Sequence, residues 1–155
     1  MEPSPIPPLS SGRRGSPMAT KYREEQLERM LREEIHERIE GVRGSVVITT
    51  NGLVVASYPS VRGQDPQADP ASGHWVAALA AEIISQSRKA FGRLAQGRVR
   101  RVLVEGETGS MIVVPAGDHA ALAVMIAPEV KLGLAMFQIG QVAERVGAFL
   151  VRAGR

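Results

Sequence analysis

The side chains that most often carry out catalysis are few and scattered in this sequence of 155 residues. Cysteine is absent, which excludes thiolate nucleophiles, disulfides, iron–sulfur clusters and cysteine-rich zinc sites. The three histidines, His36, His74 and His119, lack a second ligand at metal spacing, and no serine stands in a nucleophile elbow. We therefore expect no catalytic, metal or cofactor site, and we assign the histidines to surface or helix-capping positions.

One glycine-containing stretch has part of the spacing of a phosphate-binding loop. Gly92 and Gly97 are separated by four residues, but Arg98-Val99 follow where a P-loop needs Lys and then Ser or Thr. The lysine that grips phosphate and the hydroxyl that binds magnesium are both missing. We predict that Gly97 ends a helix and that the chain does not itself bind a nucleotide.

The strongest charge feature is a basic segment near the middle of the chain. Six cations fall within fourteen residues: Arg88, Lys89, Arg93, Arg98, Arg100 and Arg101. One interpretation is an electropositive rim, with Lys89, Arg93, Arg98, Arg100 and Arg101 facing an acidic protein partner, a membrane surface or nucleic acid. The other is a solvated turn whose charges protect a strand edge from aggregation. A net charge of only +3 and 4% aromatic residues argue against nucleic acid.

The elements that would position these residues begin after a proline-rich start. Residues 1–19 hold five of the ten prolines, so we expect a disordered leader there and a single domain over residues 20–155. From Thr20 an amphipathic helix is indicated, with apolar residues at helical spacing: Leu27, Leu31, Ile35 and Ile39. Two β-branched runs between Ser45 and Ser57 then flank Asn51-Gly52, which predicts a hairpin with a type I′ turn.

A second helix is predicted from about His74 to Ala95, and it carries two apolar stripes. The first consists of Val76, Leu79, Ala80, Ile83, Ala90 and Leu94. The second consists of Ala77, Ala81, Ile84, Arg88 and Phe91, and it begins with small residues, as a close helix–helix seam requires. Because one stripe is enough to cover a sheet, we expect the second to need a partner outside the domain.

The last part of the chain predicts three strands and a final helix. Val99–Glu105, Ser110–Val114 and Ala120–Ile126 are separated by turn residues and lack polar alternation, so both faces of their sheet must be covered. An amphipathic helix from Leu132 to the C-terminus follows. The predicted class is α/β (α+β), in the order helix, two strands, helix, three strands, helix.

This order of elements resembles the roadblock/dynein light chain family, and in particular its small prokaryotic MglB-like members. The likeness covers residues 20–152 and includes Val42-Arg43-Gly44-Ser45-Val46-Val47-Ile48 before the Asn51-Gly52 turn, and Gly133-Leu134-Ala135 at the start of the last helix. The resemblance implies a three-layer sandwich, in which a five-stranded antiparallel sheet has the second helix on one face and the first and last helices on the other.

The resemblance also implies a homodimer, in which two second helices pack antiparallel and the third strands join across a two-fold axis. On this basis we expect an interface formed by Ala77, Ala81, Ile84, Arg88, Phe91, Val102 and Val104. A heterodimer with another roadblock chain stays open. An uncovered edge strand independently favours such pairing.

The function implied by the resemblance is that of a non-catalytic adaptor or regulator of a small Ras-like GTPase. The alternative is a ligand-sensing domain of the profilin or PAS-like kind, which would need an internal cavity with convergent polar groups. An enzyme is not expected. No apolar signal segment opens the chain and no stretch reaches the roughly 18 unbroken apolar residues of a membrane helix, so we expect a cytoplasmic protein without integral membrane association.

Overall fold

The computed structural model describes residues 17–62, 65, 67 and 72–154. Three helices and five strands alternate in the predicted order: α1 (Pro17–Leu31), β1 (Val42–Thr49), β2 (Val54–Tyr58), α2 (Gly73–Arg93), β3 (Val102–Gly106), β4 (Gly109–Pro115), β5 (Ala120–Ile126) and α3 (Leu132–Ala153). A π-helical turn, Arg32–His36, continues α1. The helix begins at Pro17 and not at Thr20, because proline suits the first turn of a helix. The expected disorder of residues 1–16 lies outside the described residues.

The five strands form one antiparallel sheet in the order β2-β1-β5-β4-β3. β5 is central, and β2 and β3 are the edges. Consecutive strands β3, β4 and β5 are neighbours, as the short turns between them predict. This confirms the predicted fold of three helices and an open antiparallel sheet.

Each face of the sheet carries its own apolar core, and β5 divides its side chains between the two. Leu122 and Val124 belong to the larger core, together with α1, the π-helical turn and α3. Ala121 and Ala123 belong to the smaller core beneath α2. All four are at most 2% exposed. The lack of polar alternation in β5 therefore reflects burial on both faces, as predicted.

The hairpin is confirmed, but its turn is not type I′. Such a turn needs a positive φ at both Asn51 and Gly52, whereas Ala95 is the sole non-glycine with positive φ in the described part of the chain. The amide of Gly52 donates to the carbonyl of Thr49 at 3.0 Å, and Gly52 has φ 86°. The connection is thus a longer loop in which only the glycine adopts the left-handed conformation.

The strand β3 begins later than predicted, at Val102. Residues 94–101 instead form an irregular connection, in which Ala95 and Gly97 have φ of 55° and 83°. The left-handed residue that ends α2 is Ala95, because its amide donates to the carbonyl of Gly92 and the amide of Gln96 donates to that of Phe91; the prediction that Gly97 ends the helix is therefore wrong. Because β3 begins at Val102, the arginines at 98, 100 and 101 belong to this connection and not to the strand.

Helix α3 is the one helix in the described part of the chain that is long and apolar enough to cross a membrane, with a mean hydropathy of 1.2 over its most apolar window. Its apolar side faces the sheet, where Ile139 and Val146 are fully buried. One side of α3 therefore belongs to the core, whereas Leu134, Phe137 and Val151 on the same helix are more than half exposed.

Candidate interaction surface

The outer side of α2 exposes large apolar side chains. Trp75, Leu79, Phe91 and Leu94 are 44%, 48%, 42% and 63% exposed, and the first three belong to the helix itself while Leu94 ends it. Trp75 and Leu79 lie one turn apart on the side away from the sheet, whereas Phe91 follows the buried Ile84 by two turns and Leu94 follows the helix, so the last two extend the exposed apolar surface at the C-terminal end of α2. We call these four residues the outer face of α2.

The structure buries members of both predicted stripes of α2: Val76 and Ala80 of the first stripe belong to the smaller core together with the small residues of the second. Ala77, Ala81 and Ile84 are 0%, 7% and 2% exposed and pack against the sheet of the same chain. The expectation that nothing within the domain covers them is therefore wrong. The reason is size: Ala121 and Ala123 leave room for a helix to approach closely, and small side chains on α2 allow that approach. The bulkier side chains are left on the outside.

Other residues of the predicted interface remain accessible. Phe91 belongs to the outer face of α2, and Arg88 is half-buried on the same helix. In β3, Val102 is half-buried against the smaller core, whereas Val104 is 45% exposed. Their position in an interface with a second copy stays a prediction.

The sheet ends at β3, whose outer edge pairs with no strand among the described residues. β3 is bonded to β4 alone, in a register that pairs Val102 with Val113 and Val104 with Met111. Leu103, which points to the opposite face, is 36% exposed. An edge strand with exposed valine and leucine is a template for pairing with another chain. This edge lies on the same side of the sandwich as α2, which contacts β3.

The predicted basic rim is divided into two parts. Arg98, Arg100 and Arg101 line a groove of about 800 Å³ between residues 96–101 and α3, with Phe137 of α3 on its other side. All three arginines are exposed, and no described carboxylate lies within 4.0 Å of their guanidinium nitrogens. A groove that combines unpaired cations with an exposed phenylalanine suits an acidic protein segment with an apolar residue.

Lys89 and Arg93 form the second part of the rim, on the last turns of α2. Both are exposed. Cations there complement the negative end of the helix dipole, which is a sufficient structural reason for their presence. They lie outside the groove lined by Arg98, Arg100 and Arg101.

His36 is not on the charged surface that the helical pattern predicted. Its Nε2 atom lies 2.9 Å from the Ser45 hydroxyl, and its ring meets Tyr58 edge to face with centroids 4.7 Å apart. Burial lowers the pKa of His36 below the usual 6.5, although a backbone hydrogen bond with Tyr58 opposes the shift. The helical pattern fails here because the helix becomes a π-helical turn at Arg32–His36, which rotates the following side chains.

The other two histidines are exposed, His74 in the first turn of α2 and His119 in the turn before β5. Within the described residues, no group of three or more His, Asp or Glu side chains is placed to hold a metal ion. The features that stand out are therefore surfaces: the outer face of α2, the β3 edge and the arginine groove.

Comparison with known proteins agrees with this architecture. The family model described as Roadblock/LC7 domain matches residues 30–126. An uncharacterized protein of Methanocaldococcus jannaschii is 30% identical over 111 residues, which cover 72% of this chain and 90% of the relative.

Two solved structures show the same fold. A Roadblock/LC7 domain from Streptomyces avermitilis superposes on this chain with a TM-score of 0.64 and 24% sequence identity. The aligned region covers 84% of this chain and 96% of the Streptomyces chain. The gliding protein MglB from Thermus thermophilus superposes with a TM-score of 0.64 and 19% sequence identity. The aligned region covers 84% of this chain and 90% of the MglB chain.

Proposed function

This chain belongs to the Roadblock/LC7 domain family, and we propose that two copies of it form a dimer that binds and regulates a small Ras-like GTPase without catalytic residues of its own. The observation that carries the proposal is the outer face of α2 beside the open edge of β3. Membership supports a regulatory role in general terms, and the partner and the dimer are the specific part of the proposal.

The dimer is supported by two features on one side of the sandwich. A second copy placed across a two-fold axis would cover Trp75, Leu79 and Phe91 with the same residues of its own α2, which is how symmetric interfaces are built. The same axis would let two β3 strands pair and close both open edges. One symmetric contact thereby removes both an apolar patch and an unpaired strand edge from water. In this arrangement Val102, Val104 and Arg88 are interface residues, as the family resemblance implies.

The GTPase partner is supported by the arginine groove and by the family resemblance. Arg98, Arg100 and Arg101 have no described carboxylate partner within the chain, so an acidic surface would gain the full benefit of their charge. The chain also lacks the lysine and hydroxyl of a P-loop after Gly97, which favours the role of regulator over that of nucleotide-binding protein. A cytoplasmic location is part of the same proposal.

The proposal is tested by binding to purified Ras-like GTPases loaded with GDP or with a non-hydrolysable GTP analogue. We expect binding that depends on the nucleotide, together with a changed rate of GTP hydrolysis or nucleotide release by the GTPase. Equal binding to both loaded forms with unchanged rates would contradict regulation. A prior measurement of the protein's own GTP hydrolysis, expected to be zero, separates its activity from that of the partner.

A further inference from the structure

A second feature of the molecule lies between the start of α2 and the sheet. A cleft of about 310 Å³ opens there, and its lining includes Arg43 and Val46 of β1, Met125 of β5, and Ser72, Gly73 and Val76 at the beginning of α2. Three of these residues, Val46, Val76 and Met125, belong to or pack against the smaller core and give the cleft an apolar floor. None of the described residues that line it is acidic.

Ser72 is an unusual helix cap. It precedes α2 with the extended backbone of an N-cap residue, φ −61° and ψ 152°, yet its hydroxyl makes no capping hydrogen bond. The residue is 3% exposed, and its Oγ atom has no hydrogen-bond partner among the described residues. Buried hydroxyls are nearly always bonded, because leaving one without a partner costs free energy. An unbonded hydroxyl that lines a cleft indicates a ligand that would accept its proton.

The beginning of α2 supplies further donors at the same place. Hydrogen bonding within the helix begins with the amide of Val76, which donates to the carbonyl of Ser72 at 3.0 Å. The first amides of a helix have no acceptor within the helix, and the aligned peptide dipoles make this end positive. α2 has 21 residues, so this effect is fully developed at its N-terminus.

Arg43 adds a positive charge to the cleft. It stands at an irregularity of β1, between Val42 and Gly44, and its Nη1 atom donates to the carbonyl of Thr108 at 2.6 Å. That bond uses one of the five N–H groups of the guanidinium and anchors the side chain of a residue that lines the cleft. The anchoring lowers the entropy that would be lost on binding an anion.

We propose that this cleft binds the phosphate group of a small molecule, through the Ser72 hydroxyl, the amides of Gly73 and His74 and the Arg43 guanidinium. A hydroxyl, backbone amides and a guanidinium on different walls suit a group with several acceptor oxygens, and helix N-termini bind phosphate readily. The volume leaves room beyond the phosphate for a short apolar body against Val46, Val76 and Met125. Binding of this kind requires neither the dimer nor a GTPase. It is the polar cavity that the ligand-sensing alternative demands.

The test is a titration of the full chain, followed by amide chemical shifts in nitrogen–proton correlation spectra at constant ionic strength. The probes are inorganic phosphate, phenyl phosphate, acetate and sodium chloride. We expect saturable shifts of the Gly73 and His74 amides with phosphate or phenyl phosphate, and none with chloride. Tighter binding of phenyl phosphate identifies a small phosphate ester as the ligand class, whereas equal or weaker binding identifies free phosphate. Shifts of equal affinity with acetate, or no saturable shift with either phosphate probe, would overturn the proposal.

Variants locate the site. We expect Ser72→Ala and Arg43→Gln each to weaken phosphate binding by about tenfold, the loss typical of a hydrogen bond to a charged group. The matched controls Ser85→Ala and Arg93→Gln, both exposed on α2, should leave it unchanged. If Ser72→Ala binds as the wild type does, or the controls weaken binding equally, the site is not the one described.

A thermal measurement separates loss of binding from loss of folding. Because the Ser72 hydroxyl makes no hydrogen bond in the free protein, Ser72→Ala should not lower the melting temperature without phosphate. At one phosphate concentration, phosphate should raise the melting temperature of the wild type by more than that of Ser72→Ala. A fall in the melting temperature of the variant without phosphate would show that the hydroxyl is an ordinary cap, and would overturn the assignment.

Discussion

The substitution Leu79→Glu tests whether the outer face of α2 joins two copies of the chain. Leu79 is 48% exposed in the single chain, so about half of its side chain remains to be buried by a partner. Complete burial of a leucine is worth about 1.5–3 kcal/mol, and half of that is about 1 kcal/mol in each copy. Because a two-fold interface contains the residue twice, its loss costs about 2 kcal/mol, or about a 30-fold rise in the dimer dissociation constant. The buried carboxylate adds to this loss.

The dissociation constant is measured by sedimentation equilibrium over a series of protein concentrations. Leu134→Glu is the matched control, since Leu134 is 59% exposed but lies on α3, away from α2. We expect the control to dimerise as the wild type does, and both variants to keep their circular dichroism spectra because the altered side chains are exposed.

Two results would refute this reasoning. A wild type that sediments as a monomer at every concentration would leave the outer face of α2 without the proposed partner. A Leu79→Glu variant with the dissociation constant of the wild type would show that the two copies meet elsewhere.

Three further predictions concern other parts of the molecule. Ile84→Arg should unfold the single chain and not merely separate two copies, because Ile84 is 2% exposed in the smaller core and an unpaired buried charge is costly. Thermal denaturation followed by circular dichroism measures the stability of the variant, and a stable folded monomer would contradict the prediction. Replacing Arg98, Arg100 and Arg101 by glutamine should weaken GTPase binding and reduce the dependence of binding on salt, which binding titrations at several ionic strengths measure. The charge-matched control, with glutamine at Lys21, Arg29 and Arg38, should bind the GTPase as the wild type does. His36 should make the free energy of unfolding fall as the pH drops below 6.5, because its pKa is lowered in the folded state and the unfolded chain takes up a proton that the folded chain does not. The slope of the unfolding free energy against pH, at most about 1.4 kcal/mol per pH unit, should flatten in His36→Gln. Urea denaturation repeated from about pH 7 to pH 5 measures this slope, and an unchanged slope in the variant would refute the prediction.

The order of the elements was predictable from the sequence because it depends on local patterns. Turn residues, β-branched runs and helical periodicity are read from neighbouring residues, and they indicated the hairpin, the β3–β5 meander and α3.

What the sequence did not reveal depends on contacts between distant segments. Which members of the two stripes of α2 are buried depends on Ala121 and Ala123, which lie beneath the helix because β5 pairs with β1 and β4. Periodicity identifies stripes but not the surface that each residue meets.

The environment of His36 was hidden for a related reason. A π-helical turn shifts the angular position of every residue after it, and no local composition rule anticipates that shift. Likewise, Ser72 is recognisable as a helix cap from its type and position, but its unbonded hydroxyl is visible only in three dimensions.

The division of side chains along β5 has a consequence for how this protein tolerates change. Ala120, Leu122, Val124 and Ile126 point to one helical layer, and Ala121, Ala123 and Met125 point to the other, so the two layers share the backbone of β5 but none of its side chains. Mutations that reshape one layer, for instance during divergence toward a new partner, leave the opposite layer's packing intact. The sheet thus gives the molecule two surfaces that evolution can modify separately.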